Sequence, residues 1–146
     1  MKEKGLPIGH VVGRMMGKIA KVLKRKLSEE EINITLEQLG LLHAISENKE
    51  EVAQQDMAEF MGKDKSAILR LIDSLEKKRL VVRTSDPQDR RKNVLVVTQH
   101  GKSTLTKVTE ISTALNEKLL EGISQTDIDT FFTVAEKIKS NAEKMS

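Results

Sequence analysis

Apolar residues recur in helical steps at both ends of the chain, with a shorter, mixed pattern between them. Ile8, Val11, Val12, Met15, Met16, Ile19, Val22, Leu23 and Leu27 follow one another in steps that keep to one helix face, which predicts an amphipathic helix over 8–27. Arg14, Lys18, Lys21 and Arg25 lie on its other face, and the acidic residues 29–31 are expected to end it in a solvated loop. Thr35-Leu36-Glu37-Gln38 fits a capping box, the threonine hydroxyl covering free amides while Gln38 reaches back. A second helix follows through Leu39, Leu42 and Ile45 and fades into the polar stretch 47–51.

A short helix is expected over 54–61, broken by Gly62, and another from an Asp64 cap to about Lys78 on a stripe of Ile68, Leu71, Ile72 and Leu75. Two helices separated by a tight glycine-containing turn form a helix-turn-helix pattern. Residues 80–84 and 93–98 are short and valine-rich, as strands are. Asp86-Pro87-Gln88-Asp89 between them suits a type I turn, with Pro87 presetting the second position. The two strands would then make a hairpin with Arg90, Arg91 and Lys92 at its tip. Helical periodicity returns through Leu105, Val108, Ile111, Leu115, Leu119 and Ile123. Ser124-Gln125-Thr126-Asp127 then resembles a second capping start, leading into Ile128, Phe131, Phe132, Ala135 and Ile138.

Composition sharpens this outline. With no Trp or Tyr and only 3 Phe in 146 residues, the core must be aliphatic. The length is that of one ordinary domain. The net charge of +3 is modest, but residues 63–92 hold ten Lys or Arg against five acids, a local +5 that leaves −2 for the rest. Positive charge concentrated in one segment suits a phosphate-binding face. The absence of cysteine excludes disulfides and thiolate metal sites. No apolar run approaches the ~18 residues of a membrane span and no leader pattern is evident, so a soluble, cytoplasmic protein without a membrane partner is expected.

A helix-turn-helix followed directly by a basic-tipped hairpin is a winged helix. Its second helix can enter the major groove of a duplex while the hairpin reaches the adjacent minor groove. Away from the apolar stripe, the start of that helix offers Lys65, Ser66, Ala67 and Arg70. Ser66 and Arg70 stand one turn apart on one face, Arg70 suited to a bidentate contact with guanine and Ser66 to a base or phosphate. The other reading of these residues is an ordinary solvated helix face. The tip is likewise either a solvated turn or a groove probe. On an extended strand Asp89 and Arg91 would share a face and pair, leaving Arg90 to point into a narrow groove.

Residues 54–101, "QQDMAEFMGKDKSAILRLIDSLEKKRLVVRTSDPQDRRKNVLVVTQHG", resemble the MarR family of transcriptional regulators. The matching parts are the short helix, "DKS…R" opening the recognition helix, "LEKK" closing it, "DPxDRR" on the wing and Thr-x-x-Gly leading into the next helix. The resemblance implies a mainly α fold with a small β-hairpin wing, flanked by N- and C-terminal dimerisation helices. It further implies a recognition helix in the major groove, Arg90 in the minor groove and Asp89 orienting its neighbour. Several positions depart from the family pattern. Arg79 stands where glycine is usual, Ala53 where a Ser or Thr cap is usual, Ala67 and Leu69 where polar residues are common, and Gln88 where an arginine is common. A methyl at Ala67 could meet thymine, whereas Leu69 is expected to belong to the core.

Residues 35–101 would form the DNA-binding region, residues 1–34 an N-terminal dimerisation helix, and residues 102–146 the C-terminal dimerisation helices. The terminal helices carry broad apolar stripes that the small winged unit cannot cover. Burying Ile8, Val11, Val12, Met15, Phe131, Phe132 and Ile138 against a second copy is the economical solution; one monomeric helical domain is the alternative. The expected partner is then a pseudo-palindromic duplex with half-sites about 10 bp apart, and a small-molecule effector that releases a repressor from DNA is compatible with it. A winged-helix module that binds protein rather than DNA is the competing function. His10, His43 and His100 are scattered without ligand spacing, and Met15 and Met16 are expected to be core rather than a ligand site. No metal, cofactor or catalytic motif is indicated, so the chain is not expected to be an enzyme.

Overall fold

α1 (Ile8–Glu29) starts directly after Pro7, whose φ of −54° is already close to helical. It ends where Glu31 turns to a positive φ of 58° and the Ile32 N–H closes back on the Leu27 carbonyl at 2.9 Å, the bonding of a Schellman stop. The structure, a computed structural model, describes residues 4–48 and 52–146. Among the described residues the order continues with α2 (Leu36–Glu47), β1 (Val52–Ala53), α3 (Gln54–Met61), α4 (Lys65–Lys77), β2 (Val81–Ser85), β3 (Asn93–Val97), α5 (Gln99–Leu119) and α6 (Gln125–Lys144). The expected mainly helical fold with a small β wing is therefore the observed one. The polar stretch after α2 lies partly outside the described residues.

The caps follow the sequence closely. Thr35 forms the expected capping box: its Oγ1 accepts the Gln38 N–H at 3.1 Å and the Gln38 Oε1 accepts the Thr35 N–H at 3.0 Å. Ala53 precedes α3 and offers no side-chain cap. At the other end Gly62 takes φ 62°, a left-handed conformation that costs glycine little, and the Lys63 N–H reaches the Ala58 carbonyl at 3.0 Å. Asp64 caps α4 through a 2.7 Å bond from the Ala67 N–H, and Ser124 caps α6 through a 3.1 Å bond from the Asp127 N–H. The preceding helix stops at Leu119, so Ile123 lies in the connection rather than on the helix predicted for it.

The wing is larger than a hairpin. β2 and β3 pair antiparallel from Val81↔Val97 to Ser85↔Asn93, and β1 adds a third strand on the other edge of β3 through Val52↔Leu95 and Ala53↔Val94. A strand of two residues has no periodicity to reveal it; the edge of β3 supplies its order.

The chain divides into two compact units, residues 1–111 and 112–146. The first is built on an aliphatic core in which Leu41, Leu42, Ile68, Ile72, Leu75 and Val81 are almost wholly enclosed. Leu27 from α1 and Val108 from α5 join the same cluster. In the second unit, α6 has no buried residue; Phe131 and Phe132 meet edge to face at 5.8 Å. Among the described residues no helix is long and apolar enough to cross a membrane.

Candidate nucleic-acid interface

α4 presents two faces with different work. Ile68, Ile72 and Leu75 are buried, while Lys65, Ser66, Leu69, Arg70 and Asp73 are exposed. The Asp64 cap occupies one amide of the first turn, and the partial positive charge of the helix start lies beside Lys65 and Ser66. Ser66 and Arg70 stand on the same exposed face, as their spacing predicts. The expectation for Leu69 is corrected. Ala67 is half-buried, and Leu69 is 40% exposed rather than part of the core. The reason is angular: Leu69 sits three residues after Ser66 and one before Arg70, so it shares their side of the helix.

The back of α4 is tied down by polar groups that local sequence patterns do not reveal. Gln38 is buried; its Nε2 donates to Ser74 Oγ at 2.8 Å and its Oε1 accepts from Lys78 Nζ at 2.7 Å. Lys78 Nζ also donates to the Asn33 carbonyl at 2.7 Å. The capping glutamine of α2 thereby fixes the far end of α4. From the wing, Arg83 of β2 pairs with Asp73, and with Glu76 at 2.8 Å. These contacts span ten residues or fewer in sequence, yet the residues lie on a helix and a strand, so no single period aligns them.

The helix–wing junction has its own lock. Arg79 adopts φ 59°, so it accepts the left-handed conformation for which glycine is the usual choice. The Leu80 N–H closes on the Leu75 carbonyl at 3.0 Å. Thr98 then donates its hydroxyl to the Arg79 carbonyl at 2.6 Å, accepts the Gly101 N–H at 3.0 Å and donates its own N–H to the Leu80 carbonyl at 3.0 Å. The Thr-x-x-Gly motif is thus the cap of α5 and a clamp on the end of α4 together.

The wing tip is structured. Asp86 Oδ1 accepts the Gln88 N–H at 2.8 Å, an Asx turn, and the Asp86 N–H reaches the Lys92 carbonyl at 3.0 Å. The hydrogen-bonded reverse turn falls at 89–92, where the Lys92 N–H bonds to the Asp89 carbonyl at 3.0 Å. This differs from the turn expected at 86–89, because the loop between the strands is too long for one four-residue turn to close. Asp89 and Arg91 do pair, through Arg91 N–H at 3.1 Å and Nε at 3.4 Å, but within that turn rather than along a strand. Arg90, Arg91 and Lys92 are all exposed. Among the described residues Arg70 and Arg90 make no ion pair.

A capped helix with an exposed polar face, packed behind a second helix and followed by a basic-tipped sheet, defines a winged helix-turn-helix protein of the DNA-binding class. The sequence model of the MarR family matches residues 32–92, and over that stretch, from the loop before α2 to the wing tip, the chain is similar to the MarR family of transcriptional regulators. A MarR-family transcriptional regulator from Rhodococcus sp. RHA1 is 28% identical, with 90% of this chain matched to 91% of that one at a TM-score of 0.72. CouR from Rhodococcus jostii RHA1, solved bound to p-coumaroyl-CoA, is also 28% identical, covering 91% and 92% of the two chains at 0.71. MepR from S. aureus, solved as a DNA complex, shares the fold at 21% identity, 93% and 98% coverage and a TM-score of 0.79.

Proposed function

We propose that the chain is a homodimeric repressor that reads a pseudo-palindromic duplex and is released from it by a small-molecule ligand. Lys65, Ser66 and Arg70 contact the major groove, with the half-buried Ala67 beside them, and Asp89, Arg90, Arg91 and Lys92 form the minor-groove probe. The observation that carries this reading is the pairing pattern: the acids Asp73, Glu76 and Asp89 are engaged by Arg83 and Arg91, which leaves Arg70 and Arg90 as exposed cations beside a capped helix start and a structured turn. The match to the MarR family model over residues 32–92 and the fold shared with a DNA-bound regulator support it.

The dimer rests on α1 and α6. Ile8, Val12 and Met15 remain exposed in the single chain, Val11 is half-buried, and Phe131, Phe132 and Ile138 are 54%, 61% and 39% exposed. A second copy covering them would use residues 1–34 and 102–146 as dimerisation segments around the reading region 35–101. For the ligand, a cleft of about 440 Å³ lies between the loop after α1 and the start of α5, lined by Ile32, Asn33, Lys78, His100, Thr104 and Lys107 among others. The lining also carries Glu30 and Glu31, which balance the charges of Lys78 and Lys107, and a relative solved bound to p-coumaroyl-CoA supports ligand control. The protein would act in the cytoplasm, where its operator is.

Binding of selected duplexes by the parent, Arg70→Ala and Arg90→Ala proteins tests the reading. Arg70→Ala is expected to cost about 1–3 kcal/mol and to relax preference at one position per half-site; Arg90→Ala weakens binding and lowers its salt dependence. Folded variants that bind as tightly as the parent would overturn the assignment and favour a protein-binding winged helix.

A further inference from the structure

Among the described residues of 35–101, three large apolar side chains remain exposed: Leu69, Val82 and Val96. Val82 and Val96 are register partners on the wing sheet, where each has the other as its neighbour. Leu69 has no such cross-strand partner. It stands on the exposed face of α4 with Ser66 and Asp73 one turn to either side and Arg70 next to it. Burial of the hydrophobic stripe does not require it, since Ile68, Ile72 and Leu75 already form that stripe.

In the major groove of B-DNA, hydrogen-bond donors and acceptors mark every base edge, but only one base presents an apolar group there, the C5-methyl of thymine. We infer that Leu69 is a specificity-determining residue whose side chain packs on a pyrimidine C5-methyl, that of a thymine in each half-site. The inference rests on α4 being the reading helix, as proposed above. The position explains the leucine chemically: contact with the methyl removes apolar surface of both partners from water, whereas a cytosine at the same place offers its N4 amino group with nothing on Leu69 to accept from it. Ser66 and Arg70 would then read hydrogen-bonding edges while Leu69 reads a methyl, three neighbouring residues covering two kinds of base feature.

The test uses the full chain and duplexes selected from a random pool. Each thymine of the selected half-site is replaced by deoxyuridine, which removes the methyl and keeps the pairing edge. Replacing the one thymine against Leu69 in a single half-site is expected to cost the parent about fourfold in affinity, the worth of one buried methyl-sized group, and replacing it in both half-sites roughly fifteenfold. Leu69→Ala, which leaves a surface position and keeps the parent's thermal midpoint, should show no deoxyuridine effect at that base. Deoxyuridine that is silent at every position, or that costs Leu69→Ala as much as the parent, overturns the inference while Arg70→Ala still weakens binding. If Arg70→Ala binds like the parent, α4 is not the reading helix and both readings fall.

Discussion

Gly101 sits where α5 begins, and a methyl group there would have nowhere to go. It would overlap the Leu80 carbonyl oxygen and lie 2.7 Å from Val97 Cγ1 and 3.2 Å from the Leu80 carbonyl carbon. Two of those three atoms are backbone, at the junction that also holds the Thr98 N–H and hydroxyl, so the overlap cannot be relieved by turning a side chain. Gly101→Ala must push α5 away from the end of α4. The costs come from three sources: overpacking against rigid neighbours at about 1–3 kcal/mol, the Thr98 cap at about 1 kcal/mol, and the Thr98 to Leu80 hydrogen bond at about 1 kcal/mol. Greater helix propensity and a less mobile unfolded chain return about 0.5–1 kcal/mol. The net expectation is a loss of about 2–4 kcal/mol. Urea unfolding followed by circular dichroism measures it, and a chain of this size should also melt lower by roughly 2–4 °C per kcal/mol. Gly101→Ala within about 0.5 kcal/mol of the parent would refute the claim that α5 is seated on the Leu80 carbonyl.

Two further outcomes follow from the buried polar ties and the strained junction. Gln38→Leu matches the side chain in size but leaves the Thr35 N–H and Lys78 without a partner they now have. It should cost about 1–3 kcal/mol in urea unfolding with an unchanged slope. At position 79, Arg79→Gly should exceed Arg79→Ala in stability by about 1 kcal/mol, because only glycine escapes the cost of a positive φ; equal thermal midpoints for the two variants would show that the junction carries no such strain.

Most of the fold was legible because its signals are local. The Thr35, Asp64 and Ser124 caps, the Gly62 break and the valine-rich strands each occupy a few consecutive residues, and each lies where its chemistry placed it. What escaped depended on partners distant in sequence or on very short elements. β1 exists through the edge of β3, the Gln38–Ser74–Lys78 ties join α2 to α4, and Arg83 reaches back to Asp73 and Glu76. Pro87 pointed to a turn, but seven residues between strands gave the chain a second choice, and Asp89 took the closing bond instead. Leu69 was misplaced for a different reason. A leucine beside a buried isoleucine invites assignment to the core, yet one step along a helix is a rotation of about 100°, enough to carry Leu69 out to Arg70.

That rotation has a bearing on how such a protein changes over generations. In the first two turns of α4, the residues that hold the helix and those that face outward are different ones. Exchange at positions 65, 66, 69 and 70 leaves Ile68, Ile72 and the ties at Ser74 and Lys78 in place. A lineage can therefore vary the surface proposed to read bases without passing through poorly folded ancestors. The freedom stops at Asp73, whose outward carboxylate is already committed to Arg83 on the wing, so the proposed reading surface can be rewritten from its leading end but not from its trailing one.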